Sequence, residues 1–171
     1  MREPANYSAV EALRDGRRVE IRAIRPNDQA DFLAAVSQAS AQSLYRRFFV
    51  PRRSFAAEEV APFVNVDFVD HVALVAVMEE GERPVIVGGG RYIVGQPGQA
   101  ELAFVVLDRY QGQGIGSALM RHLAAIARGA GLQELTAQVL LDNVAMLSVL
   151  KKSGFQVTSR GSGVVYLTLR L

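Results

Sequence analysis

The sequence contains no cysteine. That excludes disulfides, thiolate metal sites and a cysteine acyl-enzyme together. It has no apolar run of membrane-spanning length; the longest, residues 72–78, has the length of a buried strand. Residues 1–13 lack the apolar stretch of a secretory signal, so a cytoplasmic location without membrane partners is expected. Basic residues stand in ones and twos (Arg17-Arg18, Arg46-Arg47, Arg52-Arg53, Lys151-Lys152), and the formal charge is only +2. A nucleic-acid binder needs a denser run, so nucleic acid is not an expected partner. Histidine occurs twice, as His71 and His122. His71 lies near Asp67 and Asp70 but without the spacing of a ligand set, so no metal is expected. His122 falls on a helix, where a solvent-facing or partly packed role is the plain reading.

What is present is an ordinary globular composition, 50% apolar and 21% charged, over 171 residues. That length suits one domain, taken here as 1–171, with residues 1–16 an N-terminal extension able to add a short element. Residues 18–24 alternate polar and apolar side chains as a strand does, and Asp15-Gly16 before them is a turn signal that would close a small hairpin. Helices are expected from Pro26-Asn27-Asp28 onward, over 41–49 with a stop at Pro51, and over 55–64 despite Pro62. From His71 the character becomes β, with strands at 72–78, 85–94 and 100–107. Gly88-Gly89-Gly90 suggests a bulge or a close backbone approach in the second. A helix follows with Ile115, Leu119, Leu123 and Ile126 on one stripe, ended by Gly129-Ala130-Gly131. A strand at 135–141, a helix at 143–152 and strands at 155–159 and 164–171 complete the chain. The expected fold is α/β: a mixed, mostly antiparallel seven-stranded sheet with helices on both faces.

The strongest local signal is Gln111-Gly112-Gln113-Gly114-Ile115-Gly116, between a strand and a helix. Glycines there let backbone N–H groups converge on an anion, and the helix N-terminus adds partial positive charge, so a pyrophosphate would sit well. A P-loop needs Lys and then Ser or Thr after the last glycine, and Gly116 is followed by Ser117-Ala118 with no lysine. A dinucleotide fingerprint wants glycine where Ser117 stands, within a parallel sheet. Hairpin-linked strands precede the loop instead, although Asp142 stands where a ribose-binding acid would.

That hexapeptide also matches the Gln/Arg-x-x-Gly-x-Gly/Ala signature of the GNAT superfamily, and Asn143-Val144-Ala145-Met146 through Gly154-Phe155 matches its second element. With a strand between the two motifs, the chain resembles this superfamily from about Val19 to its end. Ser43-Leu44-Tyr45-Arg46-Arg47-Phe48-Phe49, Val72-Ala73-Leu74-Val75-Ala76 and Ala100-Glu101-Leu102-Ala103-Phe104 make it most similar to the catalytic domain of bacterial protein-lysine acetyltransferases.

The resemblance implies an acetyl-CoA-dependent N-acetyltransferase acting on a primary amine, a protein lysine or a small molecule. Phe104, Val105 and Val106 would pair their backbone with the pantetheine amides, as an added strand does. Gly112, Gln113, Gly114, Ile115, Gly116 and Ser117 would hold the pyrophosphate through main-chain N–H groups, and Gln111 belongs to the same cofactor-binding set. Asn143 would contact the cofactor, and a plain helix N-cap explains the same residue. Glu101 would be the catalytic base; a surface glutamate beside a turn is the plain alternative. Many relatives carry a tyrosine acid on the second-motif helix where this chain has Leu150, a substitution common in the lysine acetyltransferase branch. The acidic side chains of Glu58, Glu59, Asp67 and Asp70 would attract a cationic acceptor, and Lys151-Lys152 would meet the CoA 3′-phosphate. The C-terminal strands offer an edge for a homodimer. A non-catalytic CoA-binding module and an NAD(P)-dependent oxidoreductase are the rival classes.

Overall fold

The computed structural model describes residues 3–48 and 56–171, without the side chains at 41, 43, 45 and 48. The expected helix stop at Pro51, the helix start at Phe55 and the side chain of Tyr45 therefore lie outside the described residues.

Eight strands form one sheet. They are β1 (Ser8–Ala12), β2 (Arg18–Ala23), β3 (His71–Glu80), β4 (Arg83–Gln96), β5 (Gln99–Val106), β6 (Glu134–Leu140), β7 (Gln156–Gly161) and β8 (Val164–Arg170), in the spatial order β1-β2-β3-β4-β5-β6-β8-β7. All neighbours are antiparallel except β5 and β6, which are parallel. The helices are α1 (Gln29–Gln38), α2 (Ala41–Phe48), α3 (Ala57–Val64), α4 (Ile115–Gly129) and α5 (Val144–Lys152).

The expected count of seven strands is corrected by β1, a strand whose side chains are all exposed or half-buried. A strand that buries no side chain leaves a faint hydrophobic period, so alternation does not mark it, although the Asp15-Gly16 turn signal anticipates a hairpin with residues 1–16. The Asp15-Gly16 turn closes the hairpin, with Gly16 at φ 88°. Polar contacts then hold β1 in place. Glu11 accepts from Arg121 and lies 2.6 Å from His122 Nε2, while Tyr7 hydrogen-bonds to His122 Nδ1. His122 is thus partly packed, as one of its two plain readings anticipates, and it ties the N-terminal hairpin to α4.

Helices cover both faces. Ile115, Leu119 and Leu123 of α4 are fully buried, as their spacing predicts. A Cβ placed on Gly90 would stand 2.9 Å from Phe104 Cβ and 3.0 Å from Leu123 Cδ1, so β4, β5 and α4 meet there at glycine distance. The opposite face is covered by α1 and α3, whose Phe32 and Phe63 rings stack at 5.7 Å. Both expectations for the triple glycine hold: Gly90 marks a close approach, and the β3–β4 register shifts between Ala76 and Val77, opposite Gly88 and Ile86. Among the described residues no helix is long and apolar enough to cross a membrane.

Candidate active site

Parallel β5 and β6 stay together for only three residue pairs, Gln99 with Glu134, Ala100 with Leu135 and Glu101 with Thr136. Beyond that the strands diverge. A cavity of about 370 Å³ opens between residues 102–106 of β5 and 137–139 of β6, reaching the loop at 111–117 and one side of α5. The side chains of Phe104 and Val106 are buried, and Phe104 packs toward α4. It is therefore the backbone edge of β5 that faces the opening.

The loop at the cavity's end owes its shape to glycine. Gly112 and Gly114 have φ 75° and 94°, in the region that side chains other than glycine rarely adopt. Gly116 has a different reason: a Cβ there would lie 3.2 Å from the Phe104 ring, so glycine lets α4 approach β5. The first helical bond of α4 runs from Ala118 N–H to Gly114 O at 3.0 Å. The N–H groups of Ile115, Gly116 and Ser117 therefore have no helical acceptor and sit at the cavity wall with the positive end of the helix dipole. A phosphate would meet these donors there.

Of the residues singled out by sequence, Phe104, Val105, Val106, Gln111, Gly112, Gly114, Ile115, Gly116, Ser117 and Asn143 all border this cavity. Gln111 does so while donating from Nε2 to Val106 O at 2.9 Å, a bond that fixes the loop to the end of β5. Gln113 does not border it; its side chain accepts from Arg17 at 2.5 Å and donates to Arg109 O. Asn143 caps α5 by accepting from Met146 N–H at 3.3 Å, and its position on the wall leaves both readings of it in place. Leu150 is buried in the same wall.

Glu101 is exposed at the closed end of the cleft, one residue before the bordering segment begins. By strand alternation it shares a face with Arg91, Ala103 and Val105, the side covered by α1 and α3. Two arginines lie within its electrostatic reach. Burial pulls the Arg47 guanidinium down to about 10, with the positive charge of Arg91 acting in the same direction and Glu101 opposing it. Burial likewise lowers Arg91, again opposed by Glu101. His71 is lowered first by burial and then by Arg91, against Asp67. Asp67 itself accepts from the N–H groups of Val69, Asp70 and His71 at 2.9–3.0 Å, so its carboxylate shapes a loop. Among the described residues no cluster of three potential metal ligands occurs.

Arg14 and Arg46, which no motif in the sequence marks as site residues, also border the cavity. Arg46 reaches Asp142, at 3.7 Å from its carboxylate and 3.3 Å from its carbonyl oxygen. Nothing in linear spacing links either arginine to a loop so distant along the chain.

Residues 38–155 match the family model described as the acetyltransferase (GNAT) family. The chain is similar to Acetyltransferase Pat of Mycolicibacterium smegmatis, with 36% identity over 157 residues, 90% of this chain and 46% of that protein. It therefore spans about half the length of that relative. It is also similar to Acetyltransferase PA5475 of Pseudomonas aeruginosa, 31% identical over 147 residues that cover 85% of this chain and 79% of that one. Among solved structures, the GNAT domain of S. lividans PAT superposes with a TM-score of 0.87 at 36% identity, covering 96% of this chain and 97% of that one. A cAMP-binding acyltransferase from Mycobacterium smegmatis superposes with a TM-score of 0.65 at 29% identity, over 96% of this chain and 47% of the other.

Proposed function

The chain belongs to the acetyltransferase (GNAT) family, and from that premise we propose that it moves the acetyl group of acetyl-CoA to a primary amine, a protein lysine ahead of a small molecule. The observation that carries this reading is the divergence of β5 from β6 after Glu101 and Thr136. It creates a cleft with an anion-binding helix end at one extreme and a carboxylate at the other. The pyrophosphate lies against Gly112 and residues 114–117. The pantetheine arm runs along residues 102–106, where its two amides pair with the strand edge as a missing neighbour would.

The thioester then lies near Ala103, beside Glu101. A lysine-like amine has a pKa near 10.4, so freeing its lone pair at neutral pH costs roughly 4 to 5 kcal/mol. Glu101 takes that proton, directly or through water, as the nitrogen attacks the carbonyl carbon. The C–S bond breaks, the amide forms and CoA leaves as a thiolate. Leu150 offers no proton from the wall. A free thiol has a pKa near 8.5, so the thiolate leaves tolerably and takes its proton from solvent. We read residues 1–171 as one domain in which the N-terminal hairpin takes part, since Glu11, His122 and Arg121 bind it to α4.

Calorimetric titration with acetyl-CoA, with NADH and NADPH in parallel, tests the reading. Saturable binding of acetyl-CoA alone is expected, followed by turnover with lysine peptides or small amines. Binding of a nicotinamide dinucleotide instead would overturn it, and binding without turnover on any amine would reduce the protein to a CoA-binding module.

A further inference from the structure

Next to the cleft lies a second cavity of about 70 Å³, several times the roughly 15 Å³ that admits one water molecule. The two spaces share Arg47, Ala103 and Val105 as a common border. Ala103 is two residues from Glu101 and on the same face of β5, so the shared border stands at the thioester end of the cleft. The wall of the smaller cavity is overwhelmingly carbon, with Phe32, Ala35 and Val36 of α1 above and Ala73 of β3 below. Arg91 also borders it, with its guanidinium 4.3 Å above the Phe63 ring.

Gly88, Gly89 and Gly90 all line this cavity, and Gly89 is the informative one. Gly88 and Gly90 are compelled by packing, since a Cβ on either would come within 2.9 Å of β5. A Cβ on Gly89 would touch only Leu74 O, at 3.4 Å, and Gly89 is not among the glycines at positive φ. Neither packing nor backbone geometry demands glycine there. What its missing side chain does supply is empty apolar space next to Val105, its partner across the β4–β5 ladder and part of the shared border.

We infer that this cavity is an acyl-chain pocket, and that the protein accepts CoA thioesters of straight-chain acyl groups longer than acetyl, propionyl and butyryl among them. The inference rests on the proposed binding of acetyl-CoA in the cleft. An acetyl group places its methyl at the shared border and leaves the pocket empty. Each further methylene enters carbon-lined space that water occupies poorly, with up to about a fourfold gain in affinity.

The test is calorimetric, with acetyl-, propionyl-, butyryl- and succinyl-CoA titrated into the wild type and into Gly89→Val. In the wild type, propionyl- and butyryl-CoA should bind at least as tightly as acetyl-CoA. In Gly89→Val, butyryl-CoA should weaken tenfold or more while acetyl-CoA stays within about twofold. If thermal melting shows that the valine variant does not fold, Gly89→Ala carries the comparison, because its Cβ has ordinary room. Wild-type butyryl-CoA binding tenfold weaker than acetyl-CoA, or an equal loss for both ligands in the variant, would overturn the inference. Preferential binding of succinyl-CoA would overturn it too, by making Arg47 and Arg91 the determinants. Failure of every thioester, acetyl-CoA included, would instead sink the proposed function on which it depends.

Discussion

Glu101 and Thr136 are the last residues that β5 and β6 hold in parallel register, and the cleft begins one residue beyond them. The carboxylate is therefore anchored where the sheet is still continuous, while the backbone that would bind the cofactor pairs with β4 on one edge and has no strand partner on the β6 side. A base on a rigid strand beside an opening keeps its position when the opening fills.

Glu101→Gln should lower kcat by about 10²- to 10⁴-fold at neutral pH, with the affinity for acetyl-CoA unchanged. The variant depends on amine that is already deprotonated, so its rate should climb about tenfold per pH unit below the pKa of the amine. The pH–rate profile with one lysine peptide measures this. Full activity in the variant at pH 7 would show that the proton goes elsewhere.

Arg14, in the turn between β1 and β2, borders the cleft and has no ion-pair or hydrogen-bond partner among the described residues. Its neighbour Arg17 holds that turn against the glycine loop through Gln113. Arg14→Ala should weaken acetyl-CoA binding about two- to fivefold at low salt and less at high salt, because an exposed cation facing phosphate is screened. Titrations at two ionic strengths decide it; a loss that ignores salt would point to a packing effect.

Asn143 can be separated into cap and cofactor ligand. Asn143→Asp keeps the Oδ acceptor used by Met146 N–H but removes the amide donor. The aspartate variant should retain thermal stability and bind acetyl-CoA less tightly, whereas Asn143→Ala should also lose about 1 kcal/mol of stability. Unchanged binding in the aspartate variant would leave Asn143 a cap alone.

Asp28 and Arg22 form a two-bond pair, at 2.7 and 2.8 Å, at the head of α1, which roofs the acyl pocket. Burial by itself pushes the Asp28 carboxyl up, but Arg22 and the Arg25 N–H together outweigh it and hold the group below the ordinary carboxylate value. A depressed carboxylate adds stability that is complete above its unfolded pKa of about 3.9 and is lost as pH falls through its folded value. Asp28→Ala should cost about 2 kcal/mol at pH 7, since it strands a half-buried guanidinium. Urea unfolding from pH 7 to pH 3 should show that gap narrowing below about pH 4. A gap independent of pH would mean that packing, not charge, holds the head of α1.

Local patterns determined a good part of this protein. The polar-apolar alternation of 18–24 and the β-branched runs after His71 mark strands, and the stripe from Ile115 to Ile126 marks α4, because these features depend on neighbours a few residues apart. The glycine loop is legible for the same reason, since positive φ at Gly112 and Gly114 is a local demand. Tertiary structure decided the rest. The β1–β2 hairpin is docked because Glu11 and Tyr7 meet residues of α4 far along the chain. The cleft exists because β5 and β6 part at Thr136, a register set by the packing of whole helices and strands. Gly88, Gly89 and Gly90 read alike in sequence, yet only the neighbours across the sheet show that two are forced and one leaves a pocket. Propensity acts along the chain, whereas a cavity is defined by what distant segments fail to fill.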